Sequence, residues 1–167
     1  NLKTGKTDNA DRDYGDAMCQ LLPSLLYPQL DFAAAQSRTE SGAQIRDLIF
    51  YNNQSNEFLK HLMEQYDARQ LVFEMKNVAE ISRDHVNQLN RYMTDTLGKF
   101  GVLVTRHPLK KARMTNTIDL WAGQRRTIIT LTDADIAQMV ELFESGQRLA
   151  LDVVKKKYVE FTRQCPS

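Results

Sequence analysis

Arg69-Gln-Leu-Val-Phe-Glu-Met-Lys76 is the stretch from which the rest of the chain is read. Leu71, Val72, Phe73 and Met75 form an apolar run that polar residues enter only at its end, as for a central strand buried on both faces. Strand side chains alternate, so Glu74 and Lys76 point to the same face with Val72 beneath them. A Glu-x-Lys triplet is common as a surface ion pair. This one terminates a strand in which charged residues should be scarce, and that location makes it a candidate site.

Around this strand the chain alternates between helix and strand patterns. The apolar positions Tyr14, Ala17, Met18, Leu21, Leu22, Leu25 and Leu26 recur at helical spacing and predict a helix from Ala10 to Leu26, bent or ended by Pro23. Leu30 to Ser37 and Gln44 to Tyr51 read as strands of a hairpin turned by Thr39, Glu40, Ser41 and Gly42. Ser55 is read as the N-cap of a short helix carrying Phe58, Leu59 and Leu62 and running out near Asp67. Ser82 caps a helix with Val86, Leu89, Met93 and Leu97 on one side, ended by Gly98, and Gly101 to Thr105 is a further strand. Leu109 to Trp121 is expected to be helical and Thr127 to Leu131 a strand. Thr132 and Asp135 form a capping box opening a helix to about Ser145, and a last helix runs from about Gln147 to Phe161. The predicted class is α/β, a mixed central sheet flanked by helices.

The 167 residues fit one domain, which buries roughly 70% of the surface of its unfolded chain. Residues 1–9 are polar and aperiodic and are expected to be a loose lead-in to a single domain over 10–167. The chain begins at Asn1, so it is expected to be part of a longer polypeptide with further domains or subunits. Cys19 and Cys165 make neither a zinc pattern nor a disulfide framework and point to a reducing, cytoplasmic setting. No apolar run reaches the ~20 residues that span a bilayer. Net charge is +1 and the pI near 7.9, below the strongly basic balance of a dedicated DNA-binding module, although an acidic site with a basic rim averages to the same value.

Asp47 lies in the strand preceding the short helix. If that strand pairs beside Arg69 to Lys76, its carboxylate meets Glu74. Two carboxylates so placed repel each other unless a cation sits between them, and hard oxygen ligands suit magnesium. Asp47 followed on a later strand by Phe73-Glu74-Met75-Lys76-Asn77 resembles the PD-(D/E)XK nuclease signature, and Gln88-Leu89-Asn90-Arg91-Tyr92 is similar to the Gln-h-x-x-Tyr motif of its RecB-type members. The element order from Ala10 to Thr105 (αβββαβ) also resembles that superfamily's core, with 106–167 as an extension.

The resemblance implies a restriction-endonuclease-like three-layer sandwich and a Mg2+-dependent DNA endonuclease, Mn2+ being able to substitute. It implies restriction or phage defence, or alternatively a junction-resolving or repair enzyme acting as a homodimer, or a catalytically silent binding module of the same fold. Asp47, Glu74 and the Met75 carbonyl are implied as metal ligands, and Lys76 as the catalytic lysine. Gln88 and Tyr92, four apart on one helix face, either reach toward the site or simply fix helix to sheet. Arg46 stands where the signature's name has proline, and the interval from Asp47 to Glu74 holds an extra helix. Asp16, with Asp13 behind it, is the nearest acid in the first helix, but a helix-surface role is expected for both, and solvation for Glu40 and His85.

Arg106, Lys110, Lys111 and Arg113 follow a strand end and are candidates for nucleic-acid contact. Arg125, Arg126 and Lys155 to Lys157 are further basic groups, the last expected to be a solvated helix face. Gly5-Lys6-Thr7 lacks the upstream glycine and strand of a phosphate loop. His61, His85 and His107 join no nucleophile, so a Ser/His/Asp or Cys/His enzyme finds no support.

Overall fold

The computed structural model describes residues 2–5, 9–40 and 43–167; the side chains of 37–40 and 43–46, Glu40 and Arg46 among them, lie outside the description. Its elements run α1 (Ala10–Leu26), β1 (Asp31–Glu40), β2 (Ala43–Tyr51), α2 (Glu57–Tyr66), β3 (Gln70–Lys76), α3 (Arg83–Tyr92), β4 (Phe100–Thr105), α4 (Lys111–Gln124), β5 (Thr127–Leu131), α5 (Asp133–Ser145) and α6 (Leu151–Thr162). The class is α/β: among the described residues, six helices accompany one five-stranded sheet in the order β1-β2-β3-β4-β5. β1, β2 and β3 pair antiparallel, whereas β3, β4 and β5 pair parallel, so the sheet is mixed and β3 is its middle strand.

The alternation of side chains sorts the strands into two faces. Leu48, Phe50, Leu71, Phe73, Met75, Val102 and Val104 point into the larger core, where they meet Tyr14, Met18 and Leu22 of α1, Leu59 and Leu62 of α2, Met139 of α5 and Val154 and Phe161 of α6. Ile49, Val72, Leu103 and Ile128 point the other way, against Val86, Leu89 and Met93 near α3. α4 lies along β5, with Met114, Ile118 and Trp121 against the larger core and Leu120 against the smaller.

α1 has the expected bounds and is not ended by Pro23, because Leu22, Leu25 and Leu26 are all buried and packing holds a turn that proline alone would loosen. Several other boundaries depart from the sequence reading. The cap of α2 is Asn56, whose side chain accepts from the Leu59 amide at 2.9 Å, one residue beyond Ser55. α3 stops at Tyr92: Thr94, Asp95 and Thr96 are weak helix formers, and the Leu97 amide closes a turn on the Thr94 carbonyl at 3.0 Å. Leu97 still reaches the smaller core from that turn, which is why it kept helical spacing. α4 and α6 begin later than expected, at Lys111 and Leu151.

Two glycines set how the layers meet. Gly98 has φ +97°, and a Cβ there would run into the backbone of Asp67 and Ala68. At Gly101 a Cβ would stand 2.6 Å from Met93 Sδ and 3.4 Å from both methyl carbons of Leu89, so the bare backbone of β4 lets α3 lie close. Arg126 fastens the far end of α3 by donating to the carbonyls of Asn90 (2.9 Å) and Met93 (2.7 Å), groups a helix terminus leaves without intrahelical donors.

Candidate active site

The antiparallel register of β2 and β3 places Asp47 directly opposite Glu74. Directly opposed residues have Cβ atoms about 4.5–5.5 Å apart and point to one face, so the two carboxylates share one place on the α3 side of the sheet. The helix inserted between these strands does not separate them. Both residues are 0% exposed. Burying two acids side by side is costly unless positive charge or hydrogen bonds compensate, and Lys76 supplies one counter-charge. Its Nζ lies 3.0 Å from Glu74 Oε1 and donates to Gln88 Oε1 at 3.1 Å.

α3 supplies the polar cover. Its apolar stripe seats on Val72 and Leu103, which turns the neighbouring strip, Gln88 and Tyr92, toward the strand ends. Gln88 meets Lys76, and the Tyr92 hydroxyl donates to Gln36 Oε1 at 2.6 Å. Gln36 was not singled out in the sequence. It pairs with Asp47 across β1 and β2, so Gln36, Asp47 and Glu74 form one row. The expected turn over Thr39 to Gly42 would not have found it: β1 runs on to Glu40, and pairing that closes at Glu40 and Ala43 sets residue 36 opposite residue 47.

The donor set has the chemistry of a hard-cation site. Asp47 and Glu74 offer carboxylate oxygens at one point, and Met75, whose side chain turns into the opposite core, has its backbone between Glu74 and Lys76. Among the described residues no group of three or more His, Cys, Asp and Glu gathers, so an ion here would take its remaining ligands from backbone and water. His85 accepts from the Ser82 amide at 3.1 Å in the capping box of α3, and His61 bonds the Tyr158 hydroxyl at 2.8 Å. Asp16 faces Arg12 at 3.8 Å on α1, whose buried residues belong to the other face of the sheet.

The basic groups divide. Arg106 is engaged inside the fold: it bonds Asp133 at 2.7 Å, Asn77 Oδ1 at 3.2 Å and the carbonyls of Leu2 (2.8 Å) and Lys3 (3.1 Å). Its guanidinium also lies 5.2 Å from the Tyr14 ring centroid. Burial, then Asp133, pushes the Tyr14 phenol up, with Arg106 opposing. Asn77 donates to the carbonyls of Lys3, Gly5 and Ala10, so residues 2–5 of the expected loose lead-in are tied to the end of β3. Lys110, at the cap of α4, meets Glu80 at 2.6 Å in an exposed pair, Lys111 is exposed and Arg113 half-buried. These three follow the C-terminal end of β4, the sheet end at which Lys76 also stands, because β3 and β4 run parallel. Arg125 stacks on Trp121 at 4.0 Å, Lys157 faces Asp135 at 3.6 Å, and Lys155 and Lys156 are exposed.

Among the described residues no helix is long and apolar enough to cross a membrane. No protein-family profile matches the chain, and no solved structure matches it. Over 112 residues, 65% of this chain, it is 26% identical to a putative transposon gamma-delta 80.3 kDa protein of Escherichia coli strain K12. The match spans 16% of that protein's length.

Proposed function

We propose that this chain is a magnesium-dependent DNA endonuclease domain of the PD-(D/E)XK type, with a restriction-endonuclease-like core. The observation that carries the reading is the register of β2 and β3, which sets Asp47 against Glu74 on the face where Lys76 stands. The similarity to a protein described as transposon-borne agrees with a domain that acts on DNA.

In this reading Asp47, Glu74 and the Met75 carbonyl hold the ion. When bound, magnesium lowers the pKa of a coordinated water and neutralises charge developing on the phosphate. Lys76, steadied by Glu74 and Gln88, orients the attacking water or donates to a phosphate oxygen. Lys110, Lys111 and Arg113 hold the flanking backbone as screened, sequence-independent contacts.

The test is incubation of the purified chain with supercoiled, linear, single-stranded and branched DNA, and with RNA, in magnesium or EDTA. Magnesium-dependent cleavage of DNA is expected. Preference for branched DNA would redirect the reading to junction resolution, and no cleavage of any substrate by well-folded protein would overturn the enzymatic reading.

A further inference from the structure

Gln36 occupies the outer end of the row that contains both carboxylates. Neighbouring strands lie about 4.8 Å apart, so it stands one strand spacing from Asp47 and two, about 10 Å, from Glu74. β1 is an edge strand, and Phe32 to Gln36 are exposed along it. A primary amide has one acceptor oxygen and one NH2 bearing two donors. Here the oxygen accepts the Tyr92 hydroxyl at 2.6 Å, which leaves the NH2 turned away from Tyr92. The NH2 is then what Gln36 offers to solvent. A phosphodiester oxygen accepts and never donates, so an oriented donor at the open end of a carboxylate row suits that ligand and suits a cation poorly.

We infer that Gln36 is a phosphate-contacting residue: its Nε2 donates to a non-bridging oxygen of a nucleic-acid backbone lying along the β1 edge, and Tyr92 is the positioning residue that keeps the donors outward. This rests on the nuclease reading and adds to it a residue and a direction of approach. It also gives Tyr92 a task that needs no contact with the reacting phosphate.

Two substitutions separate this role from a merely structural one. Gln36→Glu keeps an oxygen for the Tyr92 hydroxyl but removes the donors, whereas Gln36→Met removes both. Gln36 is exposed, so both variants should melt with the parent. The measurement is the fluorescence-anisotropy Kd of a short labelled DNA duplex for the full chain, with calcium as the cation because the same oxygen ligands accept it. Both variants should bind roughly tenfold more weakly, the loss expected for one hydrogen bond to a charged group, and Gln36→Glu the more weakly of the two through repulsion. If Gln36→Glu binds like the parent while Gln36→Met is impaired, Gln36 only holds Tyr92 and the inference is overturned. Parental binding by both variants overturns it too. If the parent itself binds no DNA, the nuclease reading fails and takes this inference with it.

Discussion

On β3, Phe73 and Met75 point into the larger core while their neighbours Glu74 and Lys76 point to the face under α3. The larger face is covered by α1, α2, α5 and α6 and is lined by apolar side chains. The other face is apolar where α3 and its flanks cover Ile49, Val72, Leu103 and Ile128, and beyond them it turns polar at Glu74, Lys76 and Thr105. One strand thus packs the larger core with one set of alternate residues and carries Val72, Glu74 and Lys76, an apolar anchor followed by an ion pair, with the other. The smaller face carries its buried charge at the margin of its own apolar cluster, where Lys76 and Gln88 stand beside Glu74.

The sharpest way to break this comparison is to mutate adjacent residues. Phe73→Ala should cost about 3–5 kcal/mol of stability, the range for a large buried aromatic, measurable by urea denaturation. Glu74→Gln should change stability by less than about 2 kcal/mol, since losing the ion pair with Lys76 and relieving repulsion from Asp47 oppose each other. Its cleavage rate should nevertheless fall roughly a thousandfold, about 4 kcal/mol of transition-state stabilisation. If Glu74→Gln unfolds instead, Glu74 belongs with Phe73 as a structural residue. Gly101→Ala probes the seam between helix and sheet: forcing a Cβ against Met93 should cost about 1–3 kcal/mol, and a shifted α3 should slow cleavage by separating Gln88 from Lys76. Stability and rate measured on the same variant would show whether both fall together. Smaller still is the effect of Lys110→Ala with Lys111→Ala, which should weaken DNA binding uniformly across sequences and reduce the slope of log K against log salt by about two. An unchanged slope would move the phosphate contacts elsewhere.

The difference between the faces also explains what was legible in the sequence. Leu71 to Met75 announces a strand buried on both sides because burial acts on every residue of it, and α5 announces its start through the local reciprocity of Thr132 and Asp135. The adjacency of Asp47 and Glu74 was legible only conditionally, since a motif does not state which strands pair. Gln36 was hidden because an exposed glutamine on an edge strand has no pattern of its own and gains meaning only from register. The engagement of Arg106 by Asp133, Asn77 and the carbonyls of Leu2 and Lys3 joins positions far apart in the chain, so grouping it with Lys110, Lys111 and Arg113 by proximity could not foresee it. The end of α3 was misplaced because Leu97 stays apolar after the backbone has left the helix.

The central claim is that the carboxylate pair on the smaller face holds magnesium. It is tested most directly by thermal melts of the parent, Asp47→Asn and Glu74→Gln with and without the ion. At magnesium ten times its dissociation constant, linkage should stabilise the parent by about 1.4 kcal/mol, a rise of roughly 3–5 °C in Tm for a chain of this size, and both variants should lose most of that rise. An equal rise in all three proteins, or none in the parent, would contradict the claim.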